Sequence, residues 1–177
     1  EKGDTSAQFY LGNFYSRGQG VSKDYKTAFK WYKLAADKDY ANAQYNLGLM
    51  YYRGQGVSQD YETSIKWFKL AIEQGHVLAQ YNLGVMYEKG EGVPQNFKTS
   101  VKWYKLAAKK GIAIARSSLG TAYYKGQGVP QNYETAFKWV KLAAEQVDVL
   151  AQFKLGWLYL NGQGVSKDYV RAYVWTN

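Results

Sequence analysis

The chain has 177 residues, enough for one compact domain or one short repeat array with a sizeable core. Aromatic residues make up 18% of it, which excludes a disordered chain, and no apolar run is long enough to span a membrane. The absence of cysteine excludes disulfides and thiolate metal sites, and the net charge of +9, from 23 basic and 14 acidic residues, suits acidic partners as well as plain solubility.

One eight-residue loop motif occurs five times along the chain. It reads GQGVSKDY from Gly18, and close copies begin at Gly54, Gly90, Gly126 and Gly162, always 36 residues further on. An uninterrupted period of this length is typical of a solenoid. The whole chain, 1–177, is therefore predicted to be a single array, with repeats at about 7–42, 43–78, 79–114, 115–150 and a partial fifth at 151–177.

Each period is predicted to form two helices, here called A and B, joined by the glycine loop. The A half of the first repeat, AQFYLGNFYSR, has apolar or small residues at helical spacing and ends at a basic residue before Gly18. The B half follows Asp24, whose side chain can cap the free amides of the first turn, and runs to about Lys38. The same capping position is held by Asp60, Asn96, Asn132 and Asp168 in the later repeats.

A glycine stands in the middle of every predicted A helix. These glycines are Gly12, Gly48, Gly84, Gly120 and Gly156. Because glycine inside a helix costs about 1 kcal/mol relative to alanine, its recurrence predicts a close approach between helices at this position.

The recurring pattern resembles that of a known family. In the first repeat it consists of Ala7, Leu11, Gly12, Tyr15, Gly18, Gly20, Val21, Asp24, Ala28, Trp31, Ala35 and Ala36. This pattern resembles the Sel1-like repeat, a relative of the tetratricopeptide repeat (TPR), over essentially the whole chain. The resemblance implies an all-α solenoid, a right-handed superhelix of about five 36-residue helix-turn-helix repeats, that scaffolds protein complexes. It favours a bacterial origin, and the compartment cannot be read from the sequence.

One side of the A helices is the candidate binding site. By resemblance to tetratricopeptide repeats, this side lines a concave groove that binds an extended or helical protein segment, in which tyrosines supply contact area and basic residues orient acidic groups or a C-terminal carboxylate. The alternative interpretation is that the aromatic residues pack between neighbouring A helices and the basic residues only end those helices favourably. The groove prediction comprises Phe9, Arg17, Tyr45, Leu49, Tyr52, Arg53, Tyr81, Glu88, Lys89, Tyr124, Lys125, Phe153 and Trp157.

The corresponding side of the last repeat is apolar throughout. Its residues are Leu150, Phe153, Trp157 and Leu160. An exposed apolar patch of this kind usually marks a contact, so we expect a further chain segment, a second copy or a partner to cover it, the alternative being partial cover by the protein's own curvature. Both chain ends align with the interior of a repeat, which predicts a fragment of a longer array.

A lysine stripe on the B helices is the second candidate surface. It consists of Lys66, Lys69, Lys98, Lys102, Lys105 and Lys109. The stripe is typical of a solvated convex face. The alternative is a site for a polyanion or a cell-wall glycan, whose binding would depend steeply on salt; nucleic acid is not favoured.

No constellation of catalytic residues is found. His76 is the single histidine, predicted to lie on the surface of an inter-repeat turn, and the recurring acidic residues are predicted to be helix caps. We therefore expect neither catalysis nor a cofactor or metal ion. The predicted function is a non-catalytic scaffold or adaptor for a protein or peptide with acidic groups, and a regulatory repeat domain of a larger protein is a further alternative.

Overall fold

The computed structural model describes residues 4–176, and every regular element in this range is an α-helix. The A helices are α1 (Thr5–Arg17), α3 (Ala41–Arg53), α5 (Val77–Lys89), α7 (Ala113–Lys125) and α9 (Val149–Asn161). The B helices are α2 (Tyr25–Ala36), α4 (Tyr61–Glu73), α6 (Phe97–Lys109), α8 (Tyr133–Ala144) and α10 (Tyr169–Thr176). The predicted all-α fold of helix pairs is confirmed. The first A helix begins two residues before the predicted start, and the first B helix ends at Ala36.

The glycine loop ends one helix and begins the next through local contacts. Gly18 ends α1 in the left-handed conformation at φ 70°, which glycine adopts without steric cost. The Asp24 carboxylate then accepts from the amides of Lys26 and Thr27 at the start of α2. The Asp24 amide donates back to the Tyr15 carbonyl of α1 at 2.9 Å. The loop is therefore a closed turn specified by its own residues.

The second glycine of the loop lies where the loop backbone approaches the preceding repeat. A Cβ atom at Gly56 would lie 2.3 Å from the Tyr25 carbonyl oxygen at the start of the B helix of the preceding repeat. At Gly20, in the first repeat, no described atom lies within 4 Å of the same position. The loop thus packs by its backbone against the neighbouring repeat, which explains why each repeat carries the motif.

The chain consists of two compact units. The first runs up to Leu83 and includes Glu91–Pro94, and the second comprises Gly84–Gly90 and the chain from Gln95 onward. Each unit has its own buried core between its A and B helices. The first core consists of Ala28, Tyr32, Ala35, Ala36, Ala43, Leu47 and Met50, and a core of the second of Val140, Ala143, Ala144, Ala151, Leu155, Leu158, Tyr159 and Ala172.

Candidate functional site

The predicted groove residues differ in exposure. Those that are exposed are Arg17, Arg53, Lys89, Lys125, Phe153 and Trp157. Those that are half-buried are Phe9, Tyr45, Leu49, Tyr52, Tyr81, Glu88 and Tyr124. The basic residues at the ends of the A helices are therefore accessible to a partner, whereas most of the tyrosines are partly covered.

Two pockets in the structure occupy equivalent positions, one in each unit. The first unit's pocket, about 200 Å³, is lined by Asn13, Ser16, Arg17, Tyr25, Tyr32, Asn46, Leu49, Met50, Arg53 and Gln55. The second unit's pocket, about 220 Å³, is lined by Gly120, Thr121, Tyr124, Lys125, Ala136, Val140, Phe153, Lys154, Trp157 and Leu158. Three repeats separate them, so Arg17 corresponds to Lys125 and Tyr32 to Val140.

The floor of the first pocket is polar. The buried Tyr32 hydroxyl donates to Asn13 Oδ1 at 2.8 Å and lies 3.0 Å from Ser16 Oγ. Desolvation raises the pKa of Tyr32, which keeps its hydroxyl protonated as a donor. Arg17 and Arg53, each the last residue of its A helix, also line the pocket. The structure thus brings together two of the predicted basic residues around a hydrogen-bonded floor.

The floor of the second pocket is apolar, and a lysine lies at its edge. Val140 takes the place of Tyr32, and the aromatic side chains of Phe153 and Trp157 line the same cavity. Lys154 Nζ donates to Thr121 Oγ1 at 2.9 Å and to Ser117 Oγ at 3.2 Å. Desolvation lowers the pKa of Lys154, opposed by the charges of Asp148 and Glu88 and reinforced by that of Lys125. The sequence gives no signal for Lys154, because it is a lone lysine outside both the predicted groove and the lysine stripe.

Two of the predicted aromatic residues make packing contacts inside the first unit. The Tyr45 ring stacks on His76 with centroids 4.3 Å apart, and its hydroxyl accepts from Asn82 at 3.2 Å. The Phe9 ring lies against Tyr32 and Tyr40, at 5.9 and 5.2 Å. These contacts are those of the alternative, packing interpretation; a role of either ring in partner binding stays a prediction.

Two other predicted residues are held by hydrogen bonds within their own unit. The Tyr52 hydroxyl donates to Glu91 Oε2 at 2.7 Å, which joins an A helix to the loop of the next repeat. Glu88 accepts a short hydrogen bond from the Tyr104 hydroxyl of the following B helix. The residue before the end of an A helix therefore contacts a neighbouring element in both cases.

His76 lies in the inter-repeat turn before α5, and it makes contacts there that the prediction of a surface residue did not include. It is half-buried against Tyr45, and its Nδ1 accepts from the Ala79 amide at 3.2 Å at the start of α5. Burial lowers the pKa of His76 below 6.5. Asp4 and Asp148 cap α1 and α9 from the equivalent position, so a comparison between repeats could have identified this role.

The residues of the lysine stripe and of the apolar patch are largely exposed. Of the stripe, Lys66, Lys69, Lys98, Lys102 and Lys109 are exposed, and Lys105 Nζ lies 5.6 Å from the centroid of the Tyr123 ring. In the apolar patch the exposed fraction is 70% for Leu150, 60% for Phe153, 49% for Trp157 and 42% for Leu160. The patch is therefore open in this structure.

Within residues 4–176 no helix has the length and apolar character needed to cross a bilayer. In the same range no three histidine, aspartate or glutamate side chains are grouped closely enough to hold a metal ion.

The periodic helix pairs, with their capped loops, are matched by one family model. The Sel1 repeat model matches residues 5–40, 41–76, 77–112, 113–148 and 149–177. The chain belongs to the Sel1 repeat family. Members of this family generally mediate protein–protein interaction, and the family is generally non-catalytic.

Solved Sel1 repeat structures from bacteria are similar to this chain. A protective antigen present in uropathogenic Escherichia coli strains, which displays an SLR fold, is 40% identical with a TM-score of 0.90; the match covers 97% of this chain and 37% of the antigen. A Sel1 repeat protein from Oxalobacter formigenes is 34% identical with a TM-score of 0.91, over 98% of this chain and 69% of that protein.

A more distant structure shares the fold alone. Cysteine rich protein B of Helicobacter pylori is 23% identical with a TM-score of 0.57, over 76% of this chain and 96% of that protein. This Sel1 repeat chain spans little more than a third of the length of the Escherichia coli antigen chain described above. The comparison with curated proteins found no match.

Proposed function

We propose that this Sel1 repeat chain is a non-catalytic scaffold that binds an acidic protein segment along the exposed ends of its A helices. The observation that carries the proposal is the polar pocket of the first unit, where Arg17 and Arg53 lie at one cavity. Each guanidinium offers a planar set of donors that matches a carboxylate, and two of them suit successive acidic groups of an extended segment.

Three features of the pocket favour an acidic ligand. Both arginines are exposed, and neither forms a salt bridge with any residue that the structure describes. The floor presents side-chain donors and acceptors from Asn13, Ser16 and Asn46 rather than an apolar surface. Because a charge-assisted hydrogen bond is about twice as strong as a neutral one, carboxylates gain more here than neutral polar groups do.

The test is selection from a random peptide library displayed on phage, with this chain immobilised. We expect the recovered peptides to be enriched in Asp and Glu. Their affinity is expected to fall at least tenfold in the double variant Arg17→Glu/Arg53→Glu, because each substitution replaces attraction by repulsion. Circular dichroism confirms that each variant is folded.

A matched control lies in the same unit. The double variant Lys66→Glu/Lys69→Glu changes the net charge by the same amount on the exposed side of α4. It is expected to retain affinity within about twofold for the selected peptides. Loss of binding in this control with retention in the arginine variant would contradict the proposal and favour the lysine stripe as a site for polyanions.

A further inference from the structure

The fourth repeat lacks an aromatic side chain that the first three repeats all contain. Tyr32, Phe68 and Tyr104 occupy one position on their B helices and are 3%, 0% and 2% exposed. Each ring packs against the mid-helix glycine of its own A helix, as the 2.5 Å between Phe68 and a Cβ atom built on Gly48 shows. The fourth repeat has Val140 at this position.

An apolar cavity lies beside Val140. Its volume is about 220 Å³, and the side chains around it are mostly apolar, among them Val140, Phe153 and Trp157. A closed apolar cavity of about 150 Å³ in a protein core is large enough to hold benzene. The apolar cavity beside Val140 is therefore large enough to hold an aromatic side chain from another molecule.

The edge of the cavity carries positive charge. Lys154 Nζ uses two of its three N–H donors on Thr121 and Ser117, and Lys125 also lines the pocket. Asp148 and Glu88 are the acidic groups whose charges act on Lys154, and no salt bridge joins Lys154 to either of them. A partly desolvated ammonium group gains stability from a carboxylate brought close to it.

We propose that this pocket, lined by Val140, is a specificity site for an aromatic side chain of a protein partner, with an acidic residue beside it in the partner's sequence. The ring enters the cavity against Gly120 and Val140, and the acidic side chain accepts from Lys154. This inference rests on the proposed function, because a segment lying across successive A helices supplies both groups. It adds a sequence preference that the arginine pocket of the first unit does not have.

Blocked dipeptides test the proposal directly. Acetyl-Asp-Phe-amide carries both groups, acetyl-Asn-Phe-amide lacks the charge, acetyl-Asp-Ala-amide lacks the ring, and acetyl-phenylalanine carries a chain-terminal carboxylate. Binding is followed by ¹H–¹⁵N NMR through the amides of Gly120 and Thr121. The equivalent amides of Gly12 and Asn13 in the first unit serve as the internal reference.

We expect acetyl-Asp-Phe-amide to shift the second-unit amides and to bind about fivefold more tightly than the asparagine form. Val140→Phe, which restores the ring, is expected to weaken binding at least tenfold, and Lys154→Gln to remove the preference for aspartate. Val140→Leu fills part of the cavity and gives an intermediate loss, which keeps the test decisive if the phenylalanine variant does not fold.

Other outcomes overturn the proposal. Undiminished binding to Val140→Phe, equal binding of the alanine dipeptide, or no shift at all would each exclude an aromatic site here. Binding confined to acetyl-phenylalanine would assign the pocket to the end of a chain and contradict an internal acidic neighbour. The phage selection at Arg17 and Arg53 is independent of Val140, so failure of one test leaves the other interpretable.

Discussion

The pockets of the first and second units occupy equivalent positions but differ in chemistry. In the first unit the pocket lies beside Tyr32, whose hydroxyl completes a polar network. In the second unit Val140 takes the place of Tyr32, and the pocket is apolar. A repeat array can thus keep its backbone and change its chemistry by altering one buried side chain.

The difference also concerns charge. The first pocket has two exposed arginines at helix ends, whereas the second has Lys125 at a helix end and the half-buried Lys154 on the next A helix. Exposed guanidinium groups suit carboxylates in water, and a desolvated ammonium beside an apolar cavity suits a ligand that is both aromatic and acidic. The comparison predicts that the two pockets prefer different ligands.

The largest expected effect comes from removing the ring in the first unit. Tyr32→Val should lower the free energy of unfolding by about 3 kcal/mol, because it removes a buried ring and the hydroxyl that donates to Asn13 Oδ1. Urea unfolding followed by circular dichroism measures this change. A loss below about 1 kcal/mol would show that the network and the ring contribute little to the first unit.

Alanine substitution of two mid-helix glycines should lower the free energy of unfolding by different amounts. In Gly48→Ala the new Cβ atom would lie 2.5 Å from the fully buried Phe68 ring, and we expect a net loss of about 2 kcal/mol after the gain in helix propensity. In Gly120→Ala it meets the Val140 side chain at 2.6 Å, which can move into the adjacent cavity, and backbone atoms of Ala136 and Val140 at 3.2 Å, so we expect a smaller loss of about 1 kcal/mol. Equal losses in urea unfolding would contradict the assigned cavity.

The turn between α8 and α9 contains a strained residue. Val147 has φ 63°, and the equivalent residues of the other repeats, Asp39, Gly75 and Gly111, are also at positive φ. Val147→Gly should raise the free energy of unfolding by about 1 kcal/mol, because a left-handed conformation costs about that much for a residue with a Cβ atom. Val147→Ala keeps the Cβ atom and is the control; a gain as large as that of glycine would remove strain as the explanation.

Alanine substitution of two buried serines should change the free energy of unfolding in opposite directions. Ser64 Oγ donates to the Gly48 carbonyl at 2.7 Å, so Ser64→Ala is expected to lose about 1 kcal/mol. Ser100 is 1% exposed, and its Oγ has no hydrogen-bond partner among the residues the structure describes. Ser100→Ala should therefore gain up to about 1 kcal/mol in thermal or urea unfolding. A loss in both variants would mean that Ser100 makes a comparable bond in solution.

The smallest effect is the pH dependence of the first unit. His76 has its pKa lowered in the folded chain, so the unfolded chain binds the proton more readily. Its contribution to stability is fully present above the unfolded pKa of about 6.5 and decreases as the pH falls below that value. Protonation of Nδ1 also removes the acceptor for Ala79.

His76→Asp should abolish this decrease while keeping a helix cap, because a carboxylate stays ionised down to about pH 4. The measurement is the urea midpoint at pH 7.5 and pH 5.5 for both proteins. A midpoint that falls equally in the two would assign the dependence to other groups, since the chain has no second histidine.

The helix pairs, their boundaries within two residues and the packing of the mid-helix glycines could be predicted from the sequence. The reason is that each depends on short-range features: a glycine for a left-handed cap, an aspartate or asparagine before the first turn, and apolar spacing along one helix. The candidate site was predicted less well. Arg17 and Arg53 were named and share a pocket, whereas Lys154 was missed and the roles of Tyr45 and His76 depend on contacts between repeats.

The sequence by itself therefore determined the period, the two helices of each repeat and the loop that joins them, because these are local and are repeated five times over. Only the tertiary structure decided which equivalent positions face each other. The packing of α7, α8 and α9 places Val140 and the half-buried Lys154 at one apolar cavity. Such packing depends on the volumes of side chains that belong to different helices. A periodic pattern along one helix does not contain this information.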